Sequence, residues 1–184
     1  MSTLNLNKLI ILDRDGVINV DSDDYIKSEA EWVPIPGSAK AIALLHQAGF
    51  QVAIATNQSG LARGYFKQSD LYAMHAKMTN LVEAEGGKIA HIAYCPHGPD
   101  DGCTCRKPLP GLIHQIEHAL NISAKNCYIV GDSLRDLEAG EAAGMKPVLV
   151  RTGKGERTLA KHPERAQQAV YPDLLAFVTA LLAE

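Results

Sequence analysis

Four short runs concentrate the chemically capable residues of this 184-residue chain. The first is Asp13-Arg14-Asp15-Gly16, directly after the apolar run KLIIL. On an extended backbone, residues two apart point to the same side, so Asp13 and Asp15 converge, and Gly16 lets the chain turn sharply behind them. Converging carboxylates repel unless a cation or a proton sits between them. Mg²⁺ suits that place, because it takes one or two carboxylates together with phosphate oxygens and water. A purely local reading, an acidic turn with Asp13 as a cap, competes with it. The second run, Thr56-Asn57-Gln58-Ser59-Gly60, offers hydroxyl, amide and backbone donors suited to a phosphate oxygen, although turn formers alone would look the same. In the third, Gly131-Asp132-Ser133-Leu134-Arg135-Asp136, Asp132 is placed to add another acidic ligand. Asp136 either supports the site or closes a helix capping box with Ser133.

The fourth run holds three of the four cysteines. Cys95, His97, Cys103 and Cys105 are spaced C-x-H-x5-C-x-C and are followed at once by Arg106-Lys107-Pro108. Three thiolates and an imidazole form a closed tetrahedral set for structural Zn²⁺; a disulfide or free thiols are the alternatives. Bound zinc would clamp a loop with few apolar residues of its own, aiming Lys107 and Arg106 at an anionic ligand, with Pro108 and Pro110 stiffening the exit. Cys127, alone in the apolar run CYIVG, reads as a small core residue.

These runs need elements to position them. KLIIL (8–12), FQVAIAT (50–56), KIAHIAY (88–94), CYIVG (127–131) and PVLVRT (147–152) are apolar at mostly consecutive positions, as strands buried on both faces are. Helical spacing separates them, in SAKAIALLHQAG, SDLYAMHAKMTNLVEAEG, GLIHQIEHAL and SLRDLEAGEAAG, and a last amphipathic segment covers 173–183. Alternation of strand and helix predicts an α/β fold, a Rossmann-like three-layer sandwich around a central parallel sheet. Ligands of such sheets bind beyond the carboxyl ends of the strands, which is where each run falls. The expectation is one domain over 1–184. The irregular stretches 16–37 and 95–110 are too small to be a large cap domain, leaving an open site bordered by loops, one of them zinc-braced.

The totals exclude several classes. A formal net charge of −3 argues against non-specific nucleic-acid binding. No apolar run approaches the roughly 18 residues of a membrane span, and MSTLNLNKLIILDRDG has no long apolar signal core. A cytoplasmic monomer acting on a small molecule, without membrane or nucleic-acid partners, is expected. Six histidines (His46, His75, His91, His114, His118 and His162) lack partner motifs and read as surface or internally satisfied. Trp32 either lines the pocket or packs beneath it. Gly153-Lys154-Gly155-Glu156-Arg157 lacks the spacing of a nucleotide-cradling loop.

In chain order, DRDG, TNQ, RKP and GDSLRD resemble the motifs of the haloacid dehalogenase superfamily of phosphohydrolases, over nearly the whole sequence. The resemblance implies that Asp13 is a nucleophile taking the phosphoryl group, and Asp15 the acid and then base. It implies that Thr56 and Lys107 hold phosphoryl oxygens, and that Asp13, Asp132 and the backbone carbonyl of Asp15 bind Mg²⁺. With the zinc loop, DRDGVIN, TNQSGLARG and CRKPLPG are similar to the D-glycero-D-manno-heptose-1,7-bisphosphate 7-phosphatases. That similarity implies removal of the 7-phosphate of a sugar bisphosphate, on the route to nucleotide-activated heptose for lipopolysaccharide core. It also implies a substrate pocket formed by Asp21, Ser22, Asp23, Asp24, Asn57, Gln58, Ser59, Arg106 and Ser133. Histidinol-phosphate phosphatases share these carboxylates and a similar loop, and a phospho-acceptor or zinc-braced binding module without turnover is a rival of another class. A second anionic group would suit Arg106 better than a cationic amino alcohol does, and a mere acceptor needs no acid two residues on.

Overall fold

The apolar runs become strands because each buries both faces. In the computed structural model, which describes residues 8–184, β1 (Leu9–Leu12) is buried at all four positions. Ile10 and Leu12 face one side, packing with Val52, Ile54, Val130 and Val148. Leu9 and Ile11 face the other, packing with Ala53, Ala55 and Ile129. This two-faced burial is what makes the apolar positions consecutive rather than alternating. Residues 1–7, part of the stretch read for a signal core, lie outside the described residues.

Five more strands complete the sheet: β2 (Gln51–Asn57), β3 (His91–Cys95), β4 (Tyr128–Gly131), β5 (Lys146–Val150) and β6 (Ala169–Tyr171). Their order is β3-β2-β1-β4-β5-β6, and every pairing is parallel. The expected α/β three-layer sandwich is therefore present, with one strand more than the apolar runs announced. β6 is a three-residue edge strand with no fully buried position, so it leaves no apolar signature. β3 begins at His91 rather than Lys88, where its pairing with Ala53 of β2 starts.

Helices cover both faces. α1 (Ser38–Gln47), α2 (Gln68–Ala84) and the last helix, α6 (Leu174–Leu182), supply Ile42, Leu45, Leu71, Met74, Leu174 and Phe177 to the first core. α3 (Gly111–Leu120) and α4 (Leu134–Ala142) supply Leu112, Ile113, Ile116 and Ala139 to the second. A short helix, α5 (Gly155–Lys161), occupies the stretch set aside as no nucleotide loop. Trp32 is 1% exposed and belongs to the first core, so it packs. Among the described residues, no helix is long and apolar enough to cross a membrane.

Strand order reverses at β1, whose neighbours are β2 and β4. The chain ends of these three strands open a crevice there. Register brings Leu12 beside both Ile54 and Val130, so Asp13, the residues after Thr56 and Asp132 emerge around one point. The Asp13 N–H bonds the Val130 carbonyl at 2.9 Å, extending the ladder and fixing the height of the first carboxylate.

Candidate active site

At that crevice lies a cavity of about 310 Å³, lined by Asp13, Asp15, Lys107, Asp132 and Asp136 at its base. Lys107 is 3% exposed and has three partners: Asp136 Oδ1 at 2.5 Å, the Ala55 carbonyl at 2.7 Å and Asp13 Oδ1 at 3.0 Å. Burial alone would lower its pKa, but the two carboxylates outweigh that and raise it; the ammonium is permanent near neutrality. Asn57 holds this lysine from behind. Its amide oxygen accepts the Lys107 N–H at 3.0 Å and its amide nitrogen donates to the Lys107 carbonyl at 3.1 Å. Asn57 thus borders the cavity as expected, while its amide serves the backbone of another site residue.

Single oxygens of Asp13, Asp132 and Asp136 lie within 4.8 Å of one another. The carboxyl pKa of Asp13 is pushed up to about 7 by burial and by the charge of Asp136. That of Asp132 is pushed up to about 8 by burial and by Asp13 and Asp136. Asp15 goes the other way. Burial would raise it, but the Arg14 charge and hydrogen bonds from Asn19, Arg14 and Gln58 outweigh that and hold it below the ordinary carboxylate range. Its Oδ1 accepts from Arg14 Nη2 at 2.8 Å, Arg14 Nε at 3.2 Å and Asn19 Nδ2 at 2.9 Å, and its Oδ2 from Gln58 Nε2 at 3.0 Å. Two neighbouring aspartates therefore occupy opposite electrostatic environments.

The donors and the space suit Mg²⁺. Four carboxylates converge at the base against the two cations Lys107 and Arg14, leaving two negative charges for a divalent, oxygen-seeking ion. Two glycines make room for Asp132: a Cβ on Gly16 would lie 2.0 Å from its Oδ2, and one on Gly153 2.3 Å away. Both glycines have positive φ, +84° and +58°, so the chain reaches this close approach without strain. The Lys154 N–H donates to the same oxygen at 2.8 Å.

Asp136 does both things the sequence allowed. Its Oδ2 accepts the N–H and hydroxyl of Ser133 at 3.1 and 3.0 Å, closing the start of α4, while its Oδ1 meets Lys107. Asp21, Ser22, Asp23, Gln58, Ser59, Arg106 and Ser133 line the cavity. Two expected site residues do not, Thr56 as a holder of phosphoryl oxygens and Asp24 as part of the pocket. Thr56 is fully buried below it, where its hydroxyl accepts from Gln58 Nε2 at 2.9 Å; as the penultimate residue of β2 it still points into the sheet's packing layer. Asp24 is exposed, turned outward where Tyr25 takes a positive φ of 66° and the Asp24 N–H bonds Ser22 Oγ at 3.1 Å.

Several residues were not anticipated. Arg14, 0% exposed, is the partner of Asp15. Tyr25, Arg63, Arg135 and Lys154 also border the cavity. Lys154 sits just after β5, the position at which such sheets place ligand groups, and that placement was the available signal. Its ammonium lies 3.5 Å from Asp21 Oδ2, and Arg157 pairs with Asp23 at 3.0 Å. Among the described residues, Arg63, Arg106 and Arg135 make no ion pair with a carboxylate. Burial, together with the charge of Arg135, lowers the Arg106 pKa.

Beside the cavity the sulfurs of Cys95, Cys103 and Cys105 form one cluster. Cys105 and Cys103 lie 3.1 and 3.7 Å from Cys95, and none is joined in a disulfide. Cys95 ends β3 and is fully buried; burial and the Cys105 hydrogen bond push its thiol up to about 12. Three soft ligands at this spacing suit Zn²⁺. The His97 ring is not a member of the cluster; its carbonyl accepts from Arg106 Nη1 at 3.3 Å, which ties this loop to the cavity wall.

A HAD-hydrolase-like family model matches residues 104–177. The D-glycero-beta-D-manno-heptose-1,7-bisphosphate 7-phosphatase of Pseudomonas aeruginosa is 56% identical, over 95% of this chain and 97% of that protein. The enzyme of the same name from Neisseria meningitidis is 53% identical over 96% of each. The crystal structure of D,D-heptose 1,7-bisphosphate phosphatase from Bordetella bronchiseptica, complexed with magnesium and phosphate, superposes with a TM-score of 0.91 at 51% identity, covering 96% of this chain and 98% of that one. The chain belongs to the heptose-1,7-bisphosphate 7-phosphatase family. Within that family, this member has its acidic base, Lys107 and Asp15 assembled at the switch point of the sheet, under a mouth edged by Arg63, Arg106 and Arg135.

Proposed function

We propose that this protein is a Mg²⁺-dependent phosphatase that hydrolyses the 7-phosphate of a heptose 1,7-bisphosphate through an aspartyl phosphate on Asp13, in the synthesis of nucleotide-activated heptose for lipopolysaccharide core. The observation that carries the chemistry is the convergence of Asp13, Asp132 and Asp136 on Lys107 beyond the carboxyl end of β1, with Asp15 lining the same cavity. Mg²⁺, which Asp13, Asp132 and the Asp15 carbonyl would hold, would supply charge neutralisation for the phosphoryl oxygens. The Asp13 carboxylate forms the new bond to phosphorus as the bond to the sugar oxygen breaks. The electron pair stays on that oxygen, which takes the proton of Asp15. Asp15, now ionised, takes a proton from water as the water oxygen attacks phosphorus; the Asp13 carboxylate leaves, and inorganic phosphate departs. Lys107 favours the ionised form of Asp13, against burial and the charge of Asp136, and faces the same oxygens. Zn²⁺ on Cys95, Cys103 and Cys105, with the His97 ring swung in as the fourth ligand, would fix the loop that carries Arg106 and Lys107.

The mouth supports a bisphosphate. Its acidic residues Asp21 and Asp23 are matched by Lys154 and Arg157, which leaves three arginines for a second anion. The names of the relatives agree, and nothing in the site favours histidinol phosphate. The chain is read as one cytoplasmic domain over 1–184, a monomer whose partner is the small sugar phosphate rather than nucleic acid or membrane; the acidic balance speaks against nucleic acid. Parallel turnover of D-glycero-D-manno-heptose 1,7-bisphosphate and histidinol phosphate with Mg²⁺ tests it. Phosphate release from the heptose bisphosphate should exceed the other by at least about a hundredfold in kcat/KM. Equal rates would overturn the substrate assignment.

A further inference from the structure

One imidazole lies behind the site, outside the cavity lining, yet touches its machinery. His75, on α2, is 7% exposed, with its Nε2 3.3 Å from Arg14 Nη1. The other arms of that guanidinium, Nε and Nη2, both reach Asp15 Oδ1. The guanidinium is a rigid planar fork, so holding one arm sets the direction of the others. Besides His75, the acceptor recorded for Nη1 among the described residues is the Met74 sulfur at 4.0 Å, too long to direct anything. A ring nitrogen facing a guanidinium N–H must offer its lone pair, so Nε2 is unprotonated. Burial and the Arg14 charge support this, pushing the His75 pKa down to about 4. Tyr94 closes the stack with an edge-on ring contact at 6.4 Å.

We propose that His75 is a positioning residue for proton transfer, acting through Arg14 to fix which oxygen of Asp15 carries the proton. The inference rests on the reading of Asp15 as acid and base. Oδ1 receives three donors, from Arg14 twice and Asn19 once, whereas Oδ2 receives Gln58 alone. A proton on Oδ1 would face these donors; on Oδ2 it has room toward the cavity. Without the His75 acceptor the guanidinium is free to tip, and the two oxygens become less distinct.

The test uses leaving groups. kcat/KM reports formation of the phosphoenzyme, in which an alkoxide needs the Asp15 proton and 4-nitrophenolate does not. With Mg²⁺ present, His75→Leu should lose about tenfold in kcat/KM on a sugar phosphate, mostly through kcat, and less than about twofold on 4-nitrophenyl phosphate. His75→Gln, whose amide oxygen reaches the Nε2 position, should restore the sugar phosphate rate to within about twofold of the parent enzyme. Should His75→Leu not fold, His75→Asn, whose acceptor is too short to reach Arg14, replaces it with the same expected split. Parent-like rates on both substrates, equal losses on both, or failure of Gln to rescue would each overturn the proposal. Asp15→Asn serves as the separate control. Its loss in kcat/KM should be confined to the sugar phosphate, while kcat falls on both because the same residue serves as base in hydrolysis; an equal loss of kcat/KM on both substrates sinks the acid role of Asp15 itself, whatever the His75 variants do.

Discussion

Mg²⁺ added to the metal-free protein should expel protons near neutral pH, in an amount set by the crowded carboxyls. Folding raises Asp13 from 3.8 to about 7 and Asp132 from 3.8 to about 8, and the metal takes both as carboxylates. Because the two groups face each other, the protons belong to the pair rather than to either residue. At pH 6.5 the metal-free pair then holds between one and two protons, which binding must displace. The apparent Mg²⁺ Kd should tighten about fiftyfold from pH 6 to 7, about tenfold from 7 to 8 and only about twofold from 8 to 9. The same preference sets stability without metal. Between the unfolded value near 4 and the folded values near 7 and 8, the folded chain binds protons that the unfolded chain does not. Stability is therefore fullest at the low end of that window and falls as pH rises through the folded values; about 3 pKa units at Asp13 alone correspond to about 4 kcal/mol. Calorimetric titration in two buffers of different ionisation enthalpy counts the protons. Melts in chelator should show Tm falling from pH 6 to 8.5, with saturating Mg²⁺ removing most of the fall. A Kd independent of pH, with no proton released at pH 6.5, would refute the reasoning.

Three further outcomes follow from single contacts. Gly153→Ala places a Cβ 2.3 Å from Asp132 Oδ2 and 2.5 Å from Gly16 Cα. It should weaken Mg²⁺ binding and cost about 1–3 kcal/mol, read by calorimetry and thermal melts. Asn57→Ala leaves the Lys107 N–H and carbonyl without their shared partner; about 1–3 kcal/mol of stability should go, with kcat falling about a hundredfold as the lysine loses its setting. Purified protein should contain zinc by elemental analysis, and stripping it or substituting Cys103→Ser should lower Tm and kcat together, through the loop that delivers Lys107.

Where chemistry follows from neighbours in sequence, the chain was legible. The two-faced burial of β1 shows in Leu9–Leu12, and the Asp13–Asp15 spacing survives folding because β1 holds it at the sheet's lip. Asp136 stood undecided because capping is a local signal, while its contact with Lys107 crosses 29 residues. Arg14 was hidden for the same reason. Its burial is tertiary, completed by contacts such as His75, 61 residues away, and no local pattern announces a buried guanidinium. Asn57 showed its place but not its task, since a donor-rich turn looks alike whether it meets a ligand or the backbone 50 residues on. Thr56 and Asp24 each missed the cavity because the exact residue at which a strand ends or a turn reverses is set by tertiary packing.

Rapid quenching during turnover, followed by trypsin and mass spectrometry, addresses Asp13 most directly. Cleavage after Lys8 and Arg14 isolates LIILDR, which contains Asp13, from the next peptide, which begins at Asp15. The mass of one phosphoryl group on LIILDR is the expected result. Phosphoryl on the Asp15 peptide, or on neither peptide while phosphate is released at the full rate, would contradict covalent transfer to Asp13.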